Sequence, residues 1–349
     1  MLNFLKIPVD IASNTSYTIT RKINNEIGGI YDVDRKTVTN VILGKEVDCV
    51  PAGFWFHFPA EQHSGDAAVQ AHLDLAKAID LDMLKIMTES LMPYGDIRCA
   101  ADWKKLKPFT RQSPFIVEQI DLMKRVCDKL GDDKALLATV HGVWASMFHI
   151  FNGPDCYEER RDALAATLRE DRDAFRHGLD VVTDGLSLLI DEMKTTGIHG
   201  FYYAALGGEA NMLSREEFDE VIKPCEIRLL REAKDENHFV MLHMCKDHLD
   251  LTRYADYPCD AVNWGIYSDN ISLEEGRKLF AGKTILGGLD DRDGVLVHGT
   301  KEQIERRVAE LMDEMKGYPF ILGADCTLPT DIPYDNIRAA IEATRKHAR

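Results

Sequence analysis

The sequence predicts an α/β fold, a single (β/α)8 TIM barrel with an N-terminal extension. Eight short apolar runs alternate with long amphipathic segments along the chain. Strand–helix alternation repeated that often predicts a closed parallel barrel. The competing architecture, an open doubly wound sheet, wants a glycine-rich phosphate turn after an early strand. The first run ends in His57-Phe58-Pro59-Ala60-Glu61 instead. A chain of 349 residues exceeds the usual single domain, but one barrel with insertions accommodates it.

Taken in order, residues 1–35 read as an extension packed outside the barrel. Asp34–Leu43 follows as a short helix that Gly44 ends. The first strand is Gly53–Phe58 and its helix Ala67–Ala78. The second strand is Met83–Met87. After it, Leu91–Gln112 carries Trp103 and many charges, as a large loop on the active-site rim would. Phe115–Leu130 places Ile116, Ile120, Met123 and Val126 at helical spacing. Ala135–Val140 is the third strand, and Asp162–Thr195 is long enough for two helices. The later strands are Gly200–Ala205, His238–Met244, Ala261–Trp264, Thr284–Gly287 and Phe320–Ala324. The later helices are Arg215–Ala233, Leu273–Leu279, Lys301–Met315 and Tyr334–His347.

Composition narrows the partners. The formal net charge is −16, from 58 acidic and 42 basic residues. An acidic surface repels phosphate backbones and anionic lipid, so no nucleic acid and no membrane is expected as a partner. No apolar run approaches the ~20 residues of a membrane span. The first 21 residues do not read as a secretory signal, which points to the cytoplasm. Cys49, Cys99, Cys127, Cys156, Cys225 and Cys259 have no partner at metal-like spacing and read as buried structural thiols.

His243 and Cys245, at the end of the fifth run, stand two residues apart. Strand geometry puts them on one face, at the end of the barrel that is catalytic. Cys326 follows the eighth run by two residues and belongs to the same end. Two thiols and an imidazole form a zinc set, and three protein ligands leave a fourth position open. The alternative is three core residues that happen to be His and Cys.

The stretch Asp247–Gly288, preceded by Leu242-His243-Met244-Cys245, carries a wider resemblance. So do "FILGADCTLPTDIPYDNIRAAIEA" near the end, "LGKEVDCVPAGFWFHF", "DMLKIMTE" and "GFYYAALGGEANMLSREEFDEVIKP". From about Lys36 onward the chain resembles the uroporphyrinogen decarboxylase superfamily. Within it, the chain is most similar to the methyltransferase branch that includes the methylcobamide:coenzyme M methyltransferases. The resemblance implies Zn2+ on His243, Cys245 and Cys326. It also implies a methylcorrinoid (cobalamin) donor carried by a corrinoid protein. The acceptor would be a thiol such as coenzyme M, or else tetrahydrofolate. True decarboxylases of the family carry an Arg-Gln-Ala-Gly-Arg motif after the first strand; Phe56–Glu61 here has no arginine. An octa-carboxylate tetrapyrrole needs that positive field.

Further candidates lie at strand ends. Glu209, after the fourth run, could be a displaceable fourth zinc ligand or proton acceptor. His57, ending the first run, is a catalytic candidate. His141, Asn263, Trp264 and Arg292 are candidates for substrate binding, Arg292 for an anionic group. Glu89 is a weaker candidate, and a helix-to-strand turn explains Asp82 without function. The competing classes are a decarboxylase or lyase on the same barrel, and a non-catalytic corrinoid- or metal-binding accessory protein. A homo-oligomer is compatible with all of them.

Overall fold

The structure is a computed structural model that describes residues 33–346 except 93–95, 132 and 269. The expected extension lies outside the described residues as far as residue 32. Eight parallel strands form one sheet: β1 (Ala52–Gly53), β2 (Met83–Ile86), β3 (Ala135–His141), β4 (Gly200–Ala205), β5 (Phe239–Met244), β6 (Ala261–Trp264), β7 (Thr284–Leu289) and β8 (Phe320–Ala324). Their order is β1-β8-β7-β6-β5-β4-β3-β2, so the sheet curls until β1 approaches β2. The strands are apolar on both faces because helices cover the outside and side chains fill the inside. Among the described residues, no helix is long and apolar enough to cross a membrane.

At the seam between β1 and β2 a side chain stands in for the ladder. The Ala52 N–H donates to Asp82 Oδ2 at 2.7 Å. The other oxygen of Asp82 accepts from Arg345, in the last helix, Tyr334–Arg345. Asp82 is thus a structural clasp joining the first strand, the second strand and the C-terminal helix. Gly53 permits the close approach here: a Cβ on it would come within 2.7 Å of Met83 Sδ.

Most elements arise where expected, with local chemistry at their ends. Asp34 caps Arg35–Ile42 by accepting from the Thr37 N–H at 2.7 Å, and Gly44 follows with φ +70°. Residues 162–195 do divide in two. Asp171 ends Tyr157–Glu170 and caps Arg172–Met193 by accepting from Ala174 N–H at 3.0 Å.

Four differences have physical causes. The helix Val143–Ile150 has no amphipathic period because it is buried nearly all round. The segment expected as one helix over 215–233 contains a π-turn at Phe218–Ile222 before Lys223–Ala233. Pro224, at the start of the second part, lacks the N–H that would continue the regular ladder. Ladder pairing in β1 covers only two residues; the chain then runs on to a single bridge between Phe56 and Leu328. Cys99 and Cys156 are exposed rather than buried, because each sits at the start of a helix beside an acceptor, Asp102 or Glu158.

Two predictions follow from this packing. Asp82→Asn keeps the size but removes the buried charge that faces half-buried Arg345 and sets an amide donor against it or against the Ala52 N–H. It should cost on the order of 3 kcal/mol, read by denaturant unfolding. Glu226, on Lys223–Ala233, is fully buried and accepts from Tyr257 Oη at 3.2 Å. Burial pushes its carboxyl up from 4.5 to about 8. The folded chain therefore holds a proton that the unfolded chain releases, and stability falls as pH rises from about 4.5 to about 8. Glu226→Gln should flatten that slope. Its melting temperature should exceed the parent's at pH 8 and match it near pH 4.5.

Candidate metal centre

The alternation of β5 turns His243 inward, and Cys245, one residue past the strand, faces the same way. Cys326 arrives from beyond β8. Their ligand atoms all lie within 4.8 Å of one another. Cys326 Sγ is 3.4 Å from His243 Nε2 and 3.9 Å from Cys245 Sγ. A tetrahedral zinc ion with ordinary bond lengths would separate two sulfurs by about 3.8 Å, and sulfur from nitrogen by about 3.6 Å. The three donors therefore fit zinc in both spacing and softness. His243 presents Nε2 to the sulfurs, while its buried Nδ1 has no partner among the described residues.

Without metal the two thiols share a hydrogen bond. That bond, with His243 nearby, holds the Cys326 thiol well below its ordinary range. The same bond, together with burial, pushes Cys245 well above it. The backbone just after Cys245 is strained: Lys246 has φ +98°, and its carbonyl accepts from Asn270 Nδ2 at 3.1 Å. Cys245 itself is tied back to β4 by its N–H to Ala205 O, at 3.1 Å.

The other expected residues are spread more widely. Glu209 is buried at the mouth, where Tyr157 Oη donates to Oε1 at 2.8 Å and Arg161 approaches at 3.6 Å. Among the described residues its Oε2 has no partner, and Glu209 stands outside the three-residue cluster. Lys246 Nζ covers the Tyr157 ring at 3.9 Å. His57 is exposed, with Nδ1 2.6 Å from Glu89 Oε1. His141 ends β3 edge-to-face with His149, and burial pushes its pKa down to about 3. Asn263 lies inside the barrel and donates to Leu286 O at 2.9 Å and Ala324 O at 3.2 Å. Trp264 turns the other way, into the helix layer. Its ring packs on Phe280 and against Gly276, where a Cβ would collide with it. Arg292 is exposed beyond β7 and pairs with Asp247 at 3.3 Å.

Sequence reasoning passed over two interior side chains. Tyr202, on β4, stacks on the His243 ring at 5.4 Å and 23°, and donates from Oη to Asn263 Oδ1 at 3.0 Å. Lys85, on β2, is buried with Nζ 4.8 Å from the Tyr202 ring centre and 5.6 Å from that of Trp55. Burial pushes its pKa down to about 7, against the opposing charges of Cys326, Glu89 and Cys245. The signal was present: a lysine inside an apolar barrel strand is rare unless something holds it.

Comparison with known proteins adds the family. No curated protein matches the chain. A methyltransferase from Methanosarcina mazei is similar in structure, with TM-score 0.70 and 14% identity over 90% of this chain and 99% of that one. A B12-independent methionine synthase from Shewanella sp. W3-18-1, in complex with selenomethionine, has TM-score 0.55 at 10% identity, covering 85% and 96%. A putative vitamin-B12-independent methionine synthase from Listeria monocytogenes has TM-score 0.51 at 12% identity, covering 86% and 99%. At such identities these likenesses describe the barrel alone. The uroporphyrinogen decarboxylase (URO-D) family model matches residues 35–347, and the chain belongs to that family.

Proposed function

We propose that this protein is a zinc-dependent methyltransferase that moves a methyl group from a methylated corrinoid to an acceptor thiol. The observation that carries the reading is the convergence of His243, Cys245 and Cys326 at the catalytic end of the barrel. The structural neighbours named as a methyltransferase and as B12-independent methionine synthases support methyl transfer, without bearing on the corrinoid donor. The absence of arginine from Phe56–Glu61 argues against a decarboxylase acting on a poly-carboxylate.

His243 Nε2, Cys245 Sγ and Cys326 Sγ would hold the metal. Zinc bound there would act as a Lewis acid that favours a thiol giving up its proton near neutral pH. The chain's own residues then order the mouth. Tyr202 stacks on the His243 ring and restrains its orientation. Glu209, held by Tyr157, has a second carboxylate oxygen without a partner among the described residues, and this oxygen would take the proton that the acceptor releases. In the overall reaction the methyl–cobalt bond breaks and a methyl–sulfur bond forms. Cobalt keeps the bonding pair as Co(I), and the thiol proton passes to the protein or solvent. The donor would be a corrinoid protein docked over the barrel mouth.

Two measurements test this. Purified protein should hold one zinc per chain by metal analysis. Cys326→Ala and His243→Ala should each weaken zinc binding on the order of a hundredfold or more, beyond the loss typical of residues behind the ligands. Conversion of methylcobalamin to cob(I)alamin, followed spectroscopically with thiols and with tetrahydrofolate, should proceed with thiols and vanish in Cys326→Ala. Full activity in that variant, or in protein free of zinc, would remove the proposal.

A further inference from the structure

Lys85 is a buried lysine without a carboxylate at ion-pair distance among the described residues. Its hydrogen bond among the described residues runs from Nζ to Met87 Sδ at 2.8 Å, a weak acceptor. Two aromatic faces, Trp55 and Tyr202, cradle the ammonium, and their own ring centres are 4.8 Å apart. An isolated buried ammonium is costly, and such a group persists where an anion offsets it. Lys85, Tyr202 and Asn263 come from β2, β4 and β6, the alternate strands that furnish one interior layer of a barrel. That layer lies against His243 through the stacked Tyr202 ring. The titratable groups around Lys85 are His72, Glu89, His141, Cys245 and Cys326, with His243 behind Tyr202.

Charge counting gives the cation a purpose. A zinc ion on two thiolates and a neutral imidazole is electrically neutral. A third thiolate entering that site adds a negative charge inside a low-dielectric barrel. Lys85 is the buried lysine of the barrel interior whose electrostatic surroundings include both thiols, while half-buried Lys246 and exposed Arg292 are the cations near them at the rim.

Resting on the thiol reading above, we propose that Lys85 is the positioning residue that selects an anionic sulfur acceptor. Its ammonium stabilises the thiolate of the incoming acceptor, whatever tail that acceptor carries. A neutral amine acceptor such as a folate nitrogen gains nothing from it.

The test uses full-length protein reconstituted with Co2+ in place of zinc, so that thiolate–metal charge-transfer absorption reports binding without turnover. The probes are 2-mercaptoethanol, with an uncharged tail, and 2-mercaptoethanesulfonate. Lys85→Met should keep its metal content yet bind both thiols at least tenfold more weakly. The pH midpoint of thiol binding should rise by about one unit, the equivalent shift. Lys85→Arg should recover part of the loss. Equal affinity in Lys85→Met and the parent overturns the proposal. Loss confined to the sulfonate also overturns it, because Lys85 would then read the tail. Lys85→Gln carries the same comparison if the methionine variant does not fold. A metal-loaded parent that binds neither thiol defeats the thiol reading itself, an outcome visible before any variant is compared.

Discussion

Closure of the parallel sheet is the constraint on which the rest of this molecule depends. Cys245 and Cys326 are 81 residues apart in the chain, yet their sulfurs lie 3.9 Å apart. Only curling β5 to β8 around a common axis brings the ends of those strands together over one opening. The seam that completes the curl is narrow. It depends on the Asp82 carboxylate, which meets the β1 backbone on one side and Arg345 on the other. A clasp at the closed end of the barrel therefore supports the geometry at its open end.

Around the three donors the interior is graded from apolar to charged. The outward faces of the strands pack on helices through large side chains such as Trp264. The inward faces carry Lys85, Tyr202, Asn263 and His243, linked by stacking and hydrogen bonds. At the rim stand Tyr157, Arg161 and Glu209, with Lys246 over the tyrosine ring. Low dielectric makes each charge in this series count for more than it would in water. The strained backbone at Lys246, directly after a donor cysteine, fits the tendency of such strain to gather at working sites.

Family membership and site chemistry draw on different parts of the molecule. The barrel and its strand order belong to the URO-D family as a whole. Under the proposed reading, the three candidate donors and the arginine-free stretch after β1 would set this chain's chemistry within the family. Fold alone does not decide between decarboxylation and transfer; the side chains mounted on it do.

Much of the architecture was legible from residue order because its determinants are local. Apolar runs, a capping aspartate and a terminating glycine each act within a few residues, which is why β4, β6, β8 and Leu273–Leu279 stand at their expected bounds. The His243–Cys245 pairing is also local, since strand alternation settles which side chains share a face. The helix Val143–Ile150 escaped because a wholly buried helix has no polar face to set a period. Alternation also sends Asn263 and Trp264, neighbours on β6, to opposite faces, but which of the two enters the barrel was hidden until the strand's place in the sheet was set. The meeting of Cys326 with β5, the clasp at Asp82 and the aromatic cradle of Lys85 were decided by tertiary structure alone. Each joins strands distant in the chain, and only barrel closure sets how far apart those strands stand.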